Sequence, residues 1–596
     1  MNRDTYGFPM IYYAIATFIG SVYAMVYRDS IFIANLLFIL MVIIFFLTVN
    51  YREVIIIICF FTLGIISNFL YFNFDYKYNA IEYSEVRIVK KTKYSHTAIL
   101  RNRLVQLDDI YDDKVKEGSK ILIKGTYINK PVYNKGIAAL CKVKELKYTE
   151  DDFTSKIYTF KQGFYESLKN QMGEDKAAIV MALCLGDEVY ISDEKKEELK
   201  LLGIVHAISV SGLHMAIVYK VLQSICGKNL GILGAFIFLI ITGSKASTVR
   251  AFIMIVMADL ALRTKQEYNK YTALSLAAII LIIQKPFNVS SPGFMLSFLA
   301  VIGIFMFNKK IDKFLYKVPE KIRTTVSLSL SAQIFTFPYM AIVFGEGNIG
   351  FILGNLILLP LLTMVIVLGI ICLVVSPIHI MFFITCKITS FILSCYEGYR
   401  DALLKITPNI LPLDYLDGVL FLVIITVFIL MLNGNKRIKY IPIAFIVAVF
   451  ISNYKFNLNI SYFKIGWGDG ILIEHRGNST LICENPEEVK TIEGVKKIKK
   501  FIDIDNMKST PIELGDGYKI GFLSRDYLKN INDKIVVISC DHNVNNIFLK
   551  EKNSLKDFVK LGRYNIELLP KGERKFYKNT IEGKYILINH KIFRVK

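Results

Sequence analysis

GIVHAISVSGLHMAIVYKVL, residues 203–222, is a long apolar stretch that contains two histidines and the tripeptide Ser211-Gly212-Leu213. A stretch of this length and apolarity indicates a membrane span. A full charge in the hydrocarbon core costs on the order of 2.5–3.5 kcal/mol, so polar side chains there are expected to face a protein interior or a water-filled path. The stretch therefore predicts a polar site inside a membrane, which favours transport over soluble chemistry.

The polar residues of this stretch are spread too widely for one helix face. At about 100° per residue, the histidines and serines from His206 to His214 cover an arc of roughly 200°. Either the segment is buried on several sides, or the helix breaks at Ser211-Gly212 and exposes backbone groups to a polar cavity. The alternative to a functional site is close helix packing, with the small residues at the contact and the histidines hydrogen-bonded across helices.

Composition supports a membrane protein with soluble appendages. Of 596 residues, 53% are hydrophobic, and the formal net charge is +21. This charge suits loops held at an anionic leaflet and equally suits a polyanionic cargo. The nine cysteines form no C-x-x-C pair, so neither a zinc ribbon nor a disulfide framework is indicated. The chain contains no G-x-x-x-x-G-K-[ST] phosphate-binding loop that would power transport.

Apolar runs and strand-like runs divide the chain into four segments. They are 1–72, with three retained N-terminal spans; 73–150, a β module; 151–453, the main membrane domain; and 454–596, a C-terminal α+β module. The fold class expected is a polytopic α-helical membrane protein of about 11–13 spans. The run 349–375 is interrupted by Pro360 and is expected to be a broken or re-entrant pair.

The orientation follows from basic residues in short loops. Arg3, Arg52 and the run 436–439 are expected on the cytoplasmic side. Three spans then deliver residues 74–150 to the outside, and the last span delivers residues 454–596 to the same face. Both soluble modules are therefore predicted to be extracytoplasmic.

Five short motifs follow one another in the membrane domain. They are A-L-C-L-G-D at 182–187, G-I-V-H at 203–206 with S-G-L-H at 211–214, S-T-V-R-A at 247–251, G-F-M-L-S-F-L-A at 293–300, and Asn355 with Pro360. In this order they resemble the ComEC family, the inner-membrane channel proteins of bacterial DNA uptake. The resemblance implies an inner-membrane channel for single-stranded DNA in natural transformation, with an OB-like module after the first spans.

The resemblance also implies site residues and partners. The path for DNA would be lined by His206, Ser211, Gly212, His214, Arg250, Ser297 and Asn355. The basic β module, with sixteen Lys and Arg against ten Asp and Glu, would bind phosphates through Lys90, Lys91, Lys93, Arg101, Arg103, Lys120 and Lys124. The expected partners are single-stranded DNA, the lipid bilayer, an extracytoplasmic DNA receptor and a cytosolic ATPase or helicase motor. No cofactor is expected.

Three cationic side chains in the membrane domain are interpreted differently. Arg250 lies early in an apolar helix, where it either snorkels to the interface or contacts phosphate bidentately. Lys245 is expected to snorkel. Asp259 and Arg263 stand at i,i+4 spacing and are interpreted as a helix-stabilising pair.

The C-terminal module resembles a truncated metallo-β-lactamase fold. F-K-I-G-W-G-D-G at 463–470 is similar to the V-G-Q-G-D-A motif of that domain, but Cys483 stands where the family has aspartate. A dinuclear hydrolase needs several converging imidazoles and carboxylates. The three histidines here, His475, His542 and His590, include no pair at two-residue spacing. We therefore expect a degenerate module without metal or catalytic residues, and no enzyme activity.

The sequence leaves two alternative functions open. One is a membrane-anchored extracytoplasmic metallo-hydrolase or nuclease, with the spans as an anchor. The other is a family member that has drifted to a non-catalytic, structural role.

Overall fold

The computed structural model describes most of the chain up to residue 432 and separate strands after it. The described ranges are 9–49, 51–73, 83–91, 95–108, 117–128, 130–149, 152–209, 211–408, 410–413 and 415–432, the strands named below after residue 457, and a few isolated residues. The chain forms two compact units: residues 1–336 with 348–410, and residues 337–347 with 411–596.

Three N-terminal helices open the first unit: α1 (Pro9–Asp29), α2 (Ile31–Thr48) and α3 (Tyr51–Phe72). Ser30 caps α2 by accepting a hydrogen bond from the Ile33 N–H at 3.4 Å. Helices α1 and α3 lie backbone to backbone, because a Cβ at Gly20 would overlap the carbonyl of Phe61. Small residues at such crossings are typical of helices packed in a membrane.

A closed five-stranded barrel follows α3. Its strands are β1 (Ser84–Lys91), β2 (Ser95–Leu100), β3 (Arg103–Asp108), β4 (Lys120–Ile128) and β5 (Ile137–Tyr148), in the order β1-β2-β3-β5-β4 with β4 closing on β1. Strands β3 and β5 are parallel, and the other neighbours are antiparallel. The predicted strand runs are confirmed, and alternate apolar side chains fill the barrel interior.

The barrel is fixed to the ends of the N-terminal helices. The Tyr71 hydroxyl at the end of α3 donates to the Gly136 carbonyl and accepts from the Leu104 N–H, both at 3.0 Å. Arg103 donates to the carbonyl of Leu70 at 2.7 Å. The turn at Gly136 packs on the ring of Phe287, which lies between two later membrane helices. The barrel therefore rests against one face of the helical bundle.

The helices after the barrel make up the rest of the first unit and reach into the second. They are α4 (Phe153–Met172), α5 (Glu174–Leu185), α6 (Asp193–Leu201), α7 (Val205–Ile208), α8 (Gly212–Cys226), α9 (Lys228–Ile241), α10 (Ala246–Arg263), α11 (Lys270–Gln284), α12 (Pro292–Phe314), α13 (Glu320–Phe344), α14 (Phe351–Leu353), α15 (Leu359–Val375) and α16 (His379–Ile406). A short 3₁₀ turn, Pro286–Ser290, joins α11 to α12.

Seven helices of the described chain are long and apolar enough to cross a membrane, and four shorter apolar helices accompany them. The protein is therefore a multi-pass α-helical membrane protein, as predicted. The expected 11–13 spans stay a prediction.

The run 349–375 differs from its prediction. Helices α14 and α15 are joined by a π-helical segment, Gly354–Leu358, whose flanking residues keep helical dihedrals. Pro360 falls in the first turn of α15, directly after the π segment, where its missing N–H does not end the helix. The chain therefore continues as one helical span with a π segment instead of breaking into a re-entrant pair.

The second unit contains the end of α13, a two-stranded sheet of β6 (Glu346–Gly347) and β7 (Leu411–Pro412), helix α17 (Tyr415–Leu432) and two larger sheets. The six-stranded sheet has the order β11-β10-β9-β8-β17-β18, and the five-stranded sheet the order β12-β13-β14-β15-β16. Their strands are β8 (Leu458–Ile465), β9 (Gly468–His475), β10 (Asn478–Cys483), β11 (Lys500–Asp503), β12 (Ile512–Gly515), β13 (Tyr518–Leu523), β14 (Ile535–Ser539), β15 (Asn545–Leu549), β16 (Tyr564–Leu568), β17 (Thr580–Ile588) and β18 (Lys591–Arg594).

Candidate functional site

The polar stretch at 203–222 is broken in the middle. Helix α7 ends at Ile208, and α8 begins at Gly212 with Ser211 as its N-cap. Of the two geometries expected from the sequence, the structure has the broken helix. The break places a helix N-terminus, with its positive end of the helix dipole, within the membrane domain.

His214 and Ser211 form a reciprocal cap on α8. The Ser211 hydroxyl accepts from the Leu213 N–H at 3.2 Å, and His214 Nδ1 accepts from the Ser211 N–H at 3.1 Å. Because Nδ1 acts as an acceptor, the proton of a neutral His214 ring is assigned to Nε2. Nε2 is buried and has no hydrogen-bond partner in the described chain. His214 therefore has a structural role and one unused donor, whereas His206 on α7 is exposed.

Arg250 on α10 meets two other motifs. Its Nη1–H donates to the carbonyl of Ser297 on α12 at 3.1 Å, and its guanidinium lies 5.8 Å from the centroid of the Phe298 ring. A Cβ at Gly212 would lie 3.1 Å from Arg250 Nη2, so a glycine at the start of α8 leaves room for the guanidinium. The structure thus brings Gly212, Arg250 and Ser297 together, although Ser297 contributes its backbone.

Arg250 is a buried cation that has no counter-charge in the described part of the chain. Its side chain is only 7% exposed, and no carboxylate among the described residues forms an ion pair with it. Its Nε is buried and unpartnered in the same part of the chain. A desolvated, unpaired charge is costly, so such a group is expected to meet an anion or a polar path. Because Arg250 is buried, its side chain does not snorkel to the membrane interface.

Asn355 lies elsewhere in the domain. It belongs to the π segment, its amide donates to the Ser329 hydroxyl on α13 at 3.0 Å, and its Oδ1 is buried without a described partner. The neighbouring Gly354 packs on the carbonyl of Leu202, in the chain that leads into α7. Asn355 is therefore linked to the polar stretch through backbone packing. Ser329 was missed in the sequence, although the S-L-S-L-S pattern at 327–331 is unusually polar for a span.

Lys245 has partners instead of snorkelling. It forms an ion pair with Glu188 at 2.9 Å and donates to the Gly186 carbonyl at 3.2 Å. Lys161 on α4 likewise donates to the Leu185 carbonyl at 3.4 Å. Two lysines therefore satisfy carbonyls at the end of α5, where helical carbonyls lack partners. The A-L-C-L-G-D motif thereby contacts the start of α10, which its sequence alone did not indicate.

The predicted phosphate-binding residues of the barrel have different surroundings. Lys120 pairs with Glu85 at 2.9 Å and Lys124 with Glu145 at 3.5 Å. Arg103 is bound to α3, and the Lys91 Nζ donates to the Val115 carbonyl at 3.2 Å. Lys90 and Arg101 are exposed, and Lys93 lies outside the described residues. The binding role of all seven residues stays a prediction.

Metal-ligating groups do not cluster in the described chain. No three His, Cys, Asp or Glu side chains there converge as a metal site would require. His475 ends strand β9, while His542 and His590 lie outside the described residues. The expectation of a metal-free module is therefore neither confirmed nor contradicted.

Comparison with known proteins locates the resemblance. A family model described as Competence protein matches residues 183–437. ComE operon protein 3 of Bacillus subtilis (strain 168) is 25% identical over 228 residues, which cover 37% of this chain and 29% of that protein. No solved structure matches. The resemblance of the membrane domain to the ComEC family is thereby confirmed, over a segment that includes α8, Arg250, α12 and the π segment.

Proposed function

We propose that this Competence-family membrane domain conducts single-stranded DNA across the inner membrane in natural transformation. The observation that carries the proposal is the buried, unpaired guanidinium of Arg250 beside the N-terminus of α8. A DNA backbone supplies one negative charge per nucleotide, and a guanidinium matches phosphate geometry bidentately. The Competence protein family model and the similarity to the B. subtilis ComE operon protein 3 support the same assignment.

The residues around Arg250 suggest how a phosphate is held and released. The passing phosphate would be attracted by the guanidinium and by the positive end of α8. The unused Nε2–H of His214 is a further donor on the first turn of that helix. Because the site offers one unpaired cation and neutral donors, each phosphate is stabilised without being trapped. Conduction requires binding of this moderate strength.

The barrel is proposed as an OB-like module on the extracytoplasmic face. Its five closed strands, in the order β1-β2-β3-β5-β4, support this proposal, since OB folds are five-stranded barrels that bind oligonucleotides. The exposed Lys90 and Arg101 are the best-placed phosphate contacts among the predicted residues. We further propose an extracytoplasmic receptor that delivers the strand and a cytosolic ATPase or helicase that pulls it, because the chain has no phosphate-binding loop of its own.

The test is replacement of Arg250 by leucine in the full-length protein. Arg250→Leu should reduce transformation frequency, normalised to membrane protein level, at least tenfold, because leucine suits a membrane helix but cannot bind phosphate. The matched control is Lys220→Leu, which removes an exposed cation from α8. Purified protein in liposomes should bind a fluorescent single-stranded oligonucleotide more weakly in the Arg250 variant alone.

Two outcomes would contradict the conduit. Wild-type uptake in Arg250→Leu would show that the guanidinium only packs helices. Loss of uptake in proportion to loss of protein would show that Arg250 is needed for folding alone, with no role in the path.

The C-terminal module is proposed to be non-catalytic. Its three histidines and the cysteine at 483 support this proposal, since no paired histidine ligands occur there. Metal analysis of the purified full-length protein should therefore find no stoichiometric zinc or manganese. Two bound ions per chain, or DNA cleavage abolished by His542→Ala, would show a divergent active site instead.

A further inference from the structure

A cavity of about 390 Å³ lies where α8 turns into α9, beside the end of α10. It is lined by Gly227, Lys228, Asn229, Asp259, Leu262 and Arg263. The path proposed for DNA does not use it, because Arg250 lies nine residues earlier on α10 and contacts the opposite, N-terminal end of α8. The cavity is therefore separate from the proposed DNA path.

Asp259 is the buried charge of this cavity. It is 5% exposed, and the ion pair with Arg263 that its i,i+4 spacing predicted is confirmed. Its Oδ2 accepts from Arg263 Nε, and Arg263 also donates to Asn229 Oδ1. Its Oδ1 is buried and has no hydrogen-bond partner among the described residues. Asp259 lines the cavity, and a buried carboxylate oxygen without a donor is expected to accept one from a ligand.

The other polar groups that line the cavity are electropositive. Helix α9 begins at Lys228. Its N-cap residue is Gly227, with φ +84°, so the first N–H groups of this 14-residue helix have no capping side chain. Lys228 is exposed and forms no ion pair with a described residue. Free helix N–H groups, a lysine and a guanidinium held in place by Asp259 and Asn229 form a site for an anion of phosphate size.

Apolar side chains surround this site. Ile225, Leu230 and Leu262 are 74%, 53% and 66% exposed, and they flank the cavity on α8, α9 and α10. In a membrane protein, apolar side chains exposed at helix ends contact acyl chains. A ligand at this cavity thus meets hydrocarbon on one side and charged groups on the other.

We propose that the cavity binds the headgroup of a phospholipid that carries a hydrogen-bond donor. The phosphate lies against Lys228, Arg263 and the start of α9, the ammonium or hydroxyl of the headgroup donates to Asp259 Oδ1, and the acyl chains run along Leu230 and Leu262. Free phosphate shares the charge and, as HPO4²⁻, one O–H donor, but it has no apolar part that would contact Leu230 and Leu262. The lipid is therefore the occupant that uses the whole site.

The test is lipid titration of the purified full-length protein in detergent, followed by native mass spectrometry. Phosphatidylethanolamine has an N–H donor, whereas phosphatidylcholine has the same phosphate and none. The wild type should bind phosphatidylethanolamine more tightly than phosphatidylcholine. Lys228→Gln should weaken both lipids about tenfold, since a charge-assisted hydrogen bond contributes roughly that much. The control Lys265→Gln removes an exposed cation that does not line the cavity.

Asp259→Asn tests the contact with the headgroup donor. It should reduce the preference for phosphatidylethanolamine while binding of the lipid phosphate persists.

Three results would overturn the proposal. They are equal binding of the two lipids by the wild type, equal losses in Lys228→Gln and Lys265→Gln, and complete displacement of the lipid by millimolar inorganic phosphate. The last result would identify a soluble anion as the occupant. Neither arm depends on DNA uptake, so the proposal and the proposed function fail separately.

Discussion

A single side chain, Arg250, connects motifs that lie far apart in the sequence. Gly212, Arg250 and Ser297 come from three helices, and each contributes something different: space, charge and a carbonyl acceptor. The family pattern predicted all three positions as part of the DNA path, without saying which atoms of Ser297 make contact. In the structure its backbone carbonyl contacts the guanidinium. Residue type alone does not reveal whether a side chain or a main chain makes a contact.

His96 is a buried titratable side chain, and it should make the stability of the protein depend on pH. It is 3% exposed inside the barrel, and both ring nitrogens lack described hydrogen-bond partners. Burial, together with the nearby Lys91, lowers the pKa of His96 below its ordinary value. Protonation therefore favours the unfolded state, and stability should be full above about pH 6.5 and decrease as pH falls through the ordinary histidine pKa.

The measurement is the thermal unfolding midpoint of the purified protein between pH 7.5 and 5. His96→Phe should remove part of the decrease, since phenylalanine fills the space without titrating. If the variant and the wild type lose stability in parallel, His96 is not the group responsible.

At the scale of elements, two glycines hold the π segment against the chain that enters α7. Gly203 follows α6 in the left-handed region, φ +69°, and the Ile204 N–H bonds to the Leu199 carbonyl at 3.0 Å, as in a Schellman motif. A Cβ at Gly203 would lie 2.6 Å from the Cα of Phe351. A Cβ at Gly354 would overlap the carbonyl of Leu202. No side chain is tolerated at this crossing without movement of the backbone.

Gly203→Ala should therefore destabilise the protein by about 1–3 kcal/mol, because it adds left-handed strain to a steric overlap. Gly354→Ala should also destabilise it, through the overlap alone. The control is Gly163→Ala in α4, where a Cβ meets nothing within 4 Å and alanine improves helix propensity. Thermal unfolding in detergent measures all three. An unchanged midpoint in Gly203→Ala would show that the π segment yields easily.

Element types were predictable where one interaction dominates. Strands β1 to β5 follow from alternating apolar residues, and the long spans follow from hydropathy. The π segment was not predictable, because Pro360 has the same local signature whether it breaks a helix or sits in a first turn. Tertiary contacts decide between the two: here Gly354 packs on Leu202. The pairing of Lys120 and Lys124 with carboxylates across the barrel was likewise not visible in a count of charges.

The two ends of helix α12 differ in their surroundings: one lies near the barrel, and the other carries many basic residues. The barrel contacts the end of α3 and the 3₁₀ turn at 286–290, from which α12 departs. Residues 292–308 of α12, which precede its basic residues, extend about 26 Å, close to the roughly 30 Å hydrocarbon core. Residues 309–323 are therefore predicted to lie on the face opposite the barrel. This loop has six Lys and Arg against two acidic residues, which indicates the cytoplasmic side.

Reporter fusions test this orientation. Fusions after residues 130 and 500 should be active outside the cell, and a fusion after residue 317 should be active only in the cytoplasm. The first and third positions lie on opposite faces by the geometry of α12, while the second tests the sequence prediction for the C-terminal module. A cytoplasmic signal at residue 130 would invert the assigned orientation of the bundle.

The contact between Gly136 and Phe287 also constrains how the chain is made. About 150 residues separate the two, and at about 5–20 residues per second the ribosome needs roughly 8–30 s to synthesise them. The barrel strands are complete long before their final support exists. During synthesis the turn at Gly136 can therefore contact Tyr71 but not yet Phe287. The barrel docks fully only after α11 has been inserted. Insertion of the later spans, and not folding of the barrel, sets the time at which the barrel becomes fixed to the helices.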